Sequence, residues 1–291
     1  MALGNLAQRF LVAVVAVPIL LLLLHYHRPE PTWAVIFIAS LLAMNEFFAM
    51  TLPKEDRRAA LVMGALACGA FYWLDPLAIS VTQGMHASIT NFAVTNGGTV
   101  ALILAVIVPG LYYLFAFREI PTVANRFAAT VAGIVYAGFL TTYLAKLKLI
   151  DPGHVGDTVV IVLLVAWVAD TGGYFAGRFL GKAKLYEAVS PKKTWAGAYG
   201  GLAGSFIGVA VLKLAFAEWM TWLDVVLIAI PGGILGQMGD LAESLIKRAV
   251  GVKDSGALLP GHGGILDRID AVLFIAPYVY TYLTLKFTFG F

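Results

Sequence analysis

The sequence predicts an all-α protein whose helices span a membrane. Three observations carry that prediction. The 291 residues are 60% hydrophobic and only 13% charged. The mean hydropathy is +0.85. Apolar runs long enough to cross a bilayer recur along the chain, separated by links that collect the charges. A soluble domain is nearer half apolar and a quarter charged. The excess is too large to hide in one water-soluble core, so the bilayer is the expected solvent. At about 20 apolar residues per spanning helix, the chain holds roughly nine.

The expected spans lie near residues 10–24, 32–50, 59–74, 99–117, 127–145, 157–177, 196–217, 222–240 and 270–290. The first run is read as a retained helix, because no small-residue cleavage site follows it. Region 75–98 has no Lys or Arg and contains Gly, Thr and Asn. It is expected to be an external loop or a short re-entrant piece.

Basic residues set the orientation. With the N-terminus inside, the inside segments collect Arg9, Lys54, Arg57, Arg58, Arg118, Arg126, Arg178, Lys182, Lys184, Lys192, Lys193, Lys247, Arg248, Lys253 and Arg268. Arg28, Lys146, Lys148, Lys213 and Lys286 stay outside. The three-to-one bias predicts N-in and C-out, which requires an odd number of spans. Residues 1–120 read as scaffold helices. Residues 121–291 read as the catalytic region, with long, basic, Gly-rich links and a site on the cytoplasmic face. No internal repeat is visible. The single Cys68 excludes an internal disulfide and a cysteine metal site. His25, His27, His86 and His154 show no ligand spacing.

Four groups of residues need an explanation beyond spanning. Asp170 ends an apolar run and precedes Thr171-Gly172-Gly173. A carboxylate there is costly unless paired or hydrated. It either pairs with Arg178 at a helix end or faces a ligand, while the glycines let a backbone or a ligand approach closely. The link from Arg178 to Trp195 holds Lys182, Lys184 and the run Ser190-Pro191-Lys192-Lys193-Thr194-Trp195 just before a helix. Cations and hydroxyls at a helix N-terminus suit an anion. A basic link touching anionic lipid headgroups is the plainer alternative.

On a helix, Asp240, Glu243, Ser244 and Lys247 share one stripe. That stripe could hold a divalent cation and a phosphate together, or it could be an interfacial helix with an internal Glu–Lys pair. The densest group runs from Lys253-Asp254 through His262-Gly263-Gly264 to Asp267-Arg268-Ile269-Asp270. Its glycines and Pro260 argue against regular helix before about Gly264. Asp267 and Asp270 then stand at the start of the last apolar helix, where carboxylates are favoured. Hard oxygen donors of this kind suit Mg²⁺.

Ser244-Leu-Ile-Lys247-Arg248, Lys253-Asp254 and His262-Gly-Gly-Ile-Leu-Asp267-Arg268-Ile-Asp270 together resemble the signature of the phosphatidate cytidylyltransferases, or CDP-diglyceride synthases. Ala169-Asp170-Thr171-Gly172 and the run from Ser190 to Trp195 are also similar to that family. The motifs cover about residues 160–275, and the N-terminal helices are only compatible with it. The resemblance implies an enzyme of phospholipid biosynthesis that condenses CTP with phosphatidic acid, giving CDP-diacylglycerol and pyrophosphate. It implies Mg²⁺ dependence, with Asp240 and Asp267 as metal-binding aspartates, and leaves open whether an additional monovalent cation joins. It also implies a homodimer in a bacterial inner membrane, with membrane lipids around it and no nucleic-acid partner.

The chemistry expected of the residues agrees. Phosphatidate itself supplies the nucleophile, so no Ser–His–Asp or Cys–His arrangement is needed. Lys247, Arg248, Lys253 and Arg268 are expected to clamp phosphates. Ser190, Lys192, Lys193 and Thr194, with Asp170 and Ser244, are expected on the substrate side. Asp254, Asp270 and His262 complete the expected catalytic set. A CTP-dependent lipid kinase and a cation-coupled transporter are the rival classes. The first lacks this motif run, and the second favours acids at the bilayer midplane between repeats.

Overall fold

The computed structural model describes Val14 and residues 17–73, 87–150, 156–256 and 263–290, with no side-chain description at 73 or 87–96. Arg9, His86, His154 and His262, and residues 10–13, 15 and 16 of the expected first span, lie outside the described residues.

Residues 17–25 are helical. The helices that follow are α1 (Glu30–Thr51), α2 (Lys54–Trp73), α3 (Ala87–Ala116), α4 (Ile120–Gly133), α5 (Leu140–Ile150), α6 (Asp157–Leu180), α7 (Trp195–Ala215), α8 (Trp222–Ala249) and α9 (Leu266–Phe289). A π-helical turn, Ile134–Phe139, joins α4 to α5 without a break. Pro31 opens α1 in the position where its missing N–H has no intrahelical partner to lose. Leu52, which precedes Pro53, leaves the helical region at φ −115°, as a pre-proline residue should. Thr221 and Asp224 form a reciprocal capping box at the start of α8.

Among the described residues, seven helices are long and apolar enough to cross a membrane: Glu30–Thr51, Gly97–Ala116, Ile120–Ile150, Asp157–Leu180, Trp195–Ala215, Trp222–Ala249 and Leu266–Phe289. The expected span 59–74 forms within α2, but the first turns of that helix carry Lys54, Glu55, Asp56, Arg57 and Arg58. Residues 87–98, expected in a loop or re-entrant piece, instead continue the helix that becomes α3.

The protein is mostly helical rather than all-α. Within the link 178–195, β1 (Lys184–Tyr186) and β2 (Ser190–Thr194) pair antiparallel, with Lys184 opposite Thr194 and Tyr186 opposite Ser190. A polar link between two spans must satisfy its own backbone, and this hairpin does so locally. Trp195 N–H closes it onto the Ala183 carbonyl at 3.1 Å.

α6 and α7 meet backbone to backbone. A Cβ on Gly172 would lie 2.4 Å from the Gly200 carbonyl oxygen, and one on Gly204 would lie 2.4 Å from that of Val168. Without a hydrophobic drive between helices in lipid, small residues that allow this approach supply the attraction. Gly172 therefore serves a neighbouring backbone rather than a ligand.

Side-chain pairs sort the helix ends into two sets. At one end, Arg126 of α4 holds buried Asp56 of α2 at 2.5 and 2.7 Å, Arg118 meets Glu55, and Glu46 of α1 reaches Leu266 of α9. At the other end, Trp33 and Phe37 of α1 pack on Tyr72 of α2, Lys148 donates to the Leu24 carbonyl, and Lys286 pairs with Asp224.

Candidate active site

The site sits where the ends of α6, α7, α8 and α9 gather beside the hairpin. α8 runs past residue 240, where the expected span stops, so Asp240, Glu243, Ser244 and Lys247 all lie on one helix. Each successive polar residue has a polar neighbour. The Asp240 carboxylate receives Lys193 Nζ from β2 at 2.6 Å, and Ser244 Oγ lies 3.4 Å from its other oxygen. Lys247 Nζ stands between Glu243 Oε2 at 2.5 Å and Asp267 Oδ1 at 2.6 Å. Glu243 is 1% exposed. An ammonium between two carboxylates is the compensation that burial of such a group requires. The stripe thus contains both of the arrangements expected of it: an internal Glu–Lys pair and a link outward to α9.

Asp267 is held by four contacts. Oδ1 accepts from Lys247 at 2.6 Å and from Ser255 N–H at 3.3 Å. Oδ2 accepts from Ser255 N–H at 3.0 Å and Gly264 N–H at 2.9 Å. Gly263 makes the turn into this geometry at φ +77°, a conformation in which only glycine is at ease. Asp170 faces the field of Asp240, Lys193 and Arg268. Asp270 faces Asp240, Glu243 and Asp170. Arg178 donates to the Tyr174 hydroxyl at 2.6 Å, one turn back on α6, rather than pairing with Asp170.

A cavity of about 460 Å³ opens between α6, α7, α8 and α9. Its walls are mostly small and apolar, including Val165, Ala169, Ala198 and Ile275. Its rim is charged, with Asp170, Arg178, Lys192, Lys193 and Asp240. An apolar pocket with a few convergent polar groups is the usual form of a small-molecule site. An amphiphile with a charged head fits this division.

Other expected residues have their polar groups engaged elsewhere or stand exposed. Thr194 spends its hydroxyl as the N-cap of α7, accepting from Gly197 N–H at 3.1 Å, although its side chain also lines the cavity. Ser190 sits in the hairpin opposite Tyr186. Arg248 donates to the carbonyls of Val189 and Val252 and so ties α8 to the hairpin and the following turn. Lys253, Asp254 and Arg268 are exposed.

The donor set can be compared with what Mg²⁺ requires. Among the described residues no three His, Cys, Asp or Glu side chains group as a metal site. Mg²⁺ commonly keeps several waters and takes one or two carboxylates plus substrate phosphates. Asp240 fits that habit, because among the described residues it has one close donor, Lys193, and keeps spare lone pairs. Asp267 is a suitable donor type, but protein hydrogen bonds already fill a carboxylate's usual capacity.

Two contributors escape the motif reading. Glu46, buried in α1, accepts from Ser255 Oγ and from the N–H groups of Ile265 and Leu266. A lone acid inside an otherwise apolar span is the available signal. Tyr136 stands in the π-helical turn, within the field of Glu243, Asp270 and Asp240. Its buried hydroxyl has no hydrogen-bond partner among the described residues. π turns recur at functional sites, but nothing in the local sequence announces this one.

The profile of the cytidylyltransferase family matches residues 7–286. The chain belongs to that family. It is similar to a phosphatidate cytidylyltransferase of Synechocystis sp., 32% identical over 278 residues, covering 87% of this chain and 88% of the relative. A Staphylococcus haemolyticus protein of the same name is 33% identical over 246 residues, covering 84% of each chain. A third, from Brucella suis, is 44% identical over 154 residues, covering 52% of this chain and 55% of the relative. The motif resemblance and the family match therefore agree, and this cytidylyltransferase's match extends well beyond the motif region.

Proposed function

We propose that this cytidylyltransferase condenses CTP with phosphatidic acid to give CDP-diacylglycerol and pyrophosphate. One observation carries the reading: an apolar cavity within the helix bundle ends in a rim where Lys193 and Asp240 meet at 2.6 Å. The acyl chains of a lipid match the walls, and its phosphate matches the rim.

In the reaction, an oxygen of the lipid phosphate bonds to the α-phosphorus of CTP. The bond from that phosphorus to the bridging oxygen of the β-phosphate breaks, and both electrons leave with pyrophosphate. Both reactants are anions, so the protein must offset their repulsion. Lys193 and Lys192 stand at the rim to receive phosphate oxygens, Lys193 by exchanging Asp240 for substrate. Lys247 keeps Asp267 and Glu243 in place through its two short contacts. Asp170 stands on the same rim, a carboxylate that a phosphate would meet together with countercharge. Mg²⁺, held by Asp240 with Asp267 nearby, would neutralise phosphate charge as it develops. Arg248, Lys253 and Arg268 are assigned to the leaving pyrophosphate.

We read the chain as nine spans with the N-terminus inside, in a bacterial inner membrane. The side-chain pairs support α2 as a crossing helix, since its first turns meet α3 and α4 ends while its last turn meets the start of α1. At 1.5 Å per residue, 20 residues cover about 30 Å, a hydrocarbon thickness. On that reading all the motifs face the cytoplasm, where CTP is. The homodimer is proposed on the family resemblance alone, and the division into scaffold 1–120 and catalytic region 121–291 on the change from short links to long, basic, Gly-rich ones.

The test is pyrophosphate release by detergent-purified protein given CTP, dioleoyl phosphatidate and Mg²⁺, with and without EDTA. Release that needs all three reagents and stops with EDTA is expected. Formation of CDP without pyrophosphate would mark γ-phosphate transfer instead and overturn the reading.

A further inference from the structure

We propose that Glu46, in the N-terminal helix α1, is a positioning residue for the catalytic end of α9. The proposal rests on the cytidylyltransferase reading above.

The start of α9 lacks a cap of its own. Its N-cap position is Ile265, with no side-chain cap hydrogen bond. A helix leaves its first N–H groups without intrahelical partners. Here Glu46 supplies them from 219 and 220 residues away, taking Ile265 N–H on Oε1 at 3.0 Å and Leu266 N–H on Oε2 at 2.9 Å. A carboxylate at a helix N-terminus is also favoured by the dipole. Glu46 is only 7% exposed.

The link continues into the site. Ser255 Oγ donates to Glu46 Oε2 at 2.9 Å and lies 3.4 Å from the N–H of Asp267. The Ser255 N–H in turn donates to the Asp267 carboxylate. Asp267 then holds Lys247, and Lys247 holds Glu243. One unbroken polar path thus runs from α1 through Ser255 and the start of α9 to α8. The space around Glu46 is filled on both sides. A Cβ at Gly256 would lie 2.6 Å from Glu46 Oε1, and one at Gly264 would lie 2.3 Å from Oε2. The scaffold half therefore fixes where Asp267 and Lys247 stand, without itself reaching the cavity rim.

The experiment compares Glu46→Gln and Ser255→Ala with wild type in the pyrophosphate assay, with melting temperature followed in detergent. Glu46→Gln keeps the volume but sets an amide N–H₂ against groups that already donate. A fall in kcat of about 10- to 100-fold is expected in each, as for partners that orient a catalytic group. KM for phosphatidate should stay within about twofold, since the cavity walls are untouched. A purely structural role would lower the melting temperature and leave kcat per folded molecule unchanged, which would overturn the proposal. If Glu46→Gln does not fold, Ser255→Ala decides alone, and a wild-type kcat there overturns it. If wild type releases no pyrophosphate, the function reading fails instead. Amide hydrogen exchange over residues 251–256 and 263–266 then tests the link, with exchange faster by about tenfold or more expected in Glu46→Gln and unchanged exchange overturning it.

Discussion

Lys193 Nζ lies 2.6 Å from Asp240 Oδ2, joining a strand of the hairpin to the catalytic end of α8. Both side chains are partly exposed at the cavity rim, at 26% and 34%. An exposed pair of this kind contributes little to stability, about 0–1 kcal/mol. Its value is in holding an ammonium and a carboxylate ready at one spot, each able to exchange the other for a charged ligand.

Lys193→Met should therefore leave folding nearly unchanged and damage turnover. Loss of one preorganised donor to a phosphoryl group is expected to lower kcat/KM about 10²- to 10³-fold. Pyrophosphate release at several CTP concentrations measures it, beside a melting curve. A variant within twofold of wild type would remove Lys193 from the phosphate site.

Asp267→Asn removes the charge opposite Lys247 and replaces an acceptor with N–H₂ beside the donors at Ser255 and Gly264. Lys247 then faces Glu243 alone, and the turn into α9 loses its anchor. Turnover should fall below detection while the protein still inserts and purifies, with a lowered melting temperature. Substantial residual turnover would show that Asp267 neither orders the site nor binds metal there.

Much of this arrangement is legible in the amino-acid sequence, and the reasons for the exceptions are physical. Long apolar runs announce the spans because lipid tolerates little else, and Asp240, Lys247 and Asp267 stand out because charges near lipid need partners. The hairpin at 184–194 is hidden because three- and five-residue strands in a basic link have no room for a period-2 pattern. The π turn at 134–139 is hidden because its apolar residues fit an α-helix equally well. Gly172 is legible as a place of close approach, but its partner, the Gly200 carbonyl, is not. Glu46 escapes because its partners are backbone groups about 220 residues away, which no local spacing encodes.

Gly200→Val tests the α6–α7 contact. A Cβ there would stand 2.2 Å from the Ala176 Cβ and 2.7 Å from the Gly172 carbonyl oxygen. Both obstacles belong to a packed helix and cannot swing aside. The helices must separate, and overpacking of this kind costs about 1–3 kcal/mol. Because both helices line the cavity, the melting temperature should fall together with activity. An unchanged melting temperature would mean that the two helices do not touch as described.

Arg126→Met separates support from chemistry. Arg126 grips Asp56 through two hydrogen bonds at 2.5 and 2.7 Å, and the two residues are 7% and 1% exposed. Removing the guanidinium leaves a buried carboxylate unpaired, which costs about 3–5 kcal/mol. Asp56→Asn in the same chain removes that orphan charge, so the double variant should regain part of the lost stability. Neither residue lines the cavity. The folded fraction of Arg126→Met should therefore keep KM for CTP and for phosphatidate near wild type, while its melting temperature falls. A rise in either KM at constant folded fraction would place this pair within reach of substrate, and no loss of stability would show that the pair is not what joins α2 to α4.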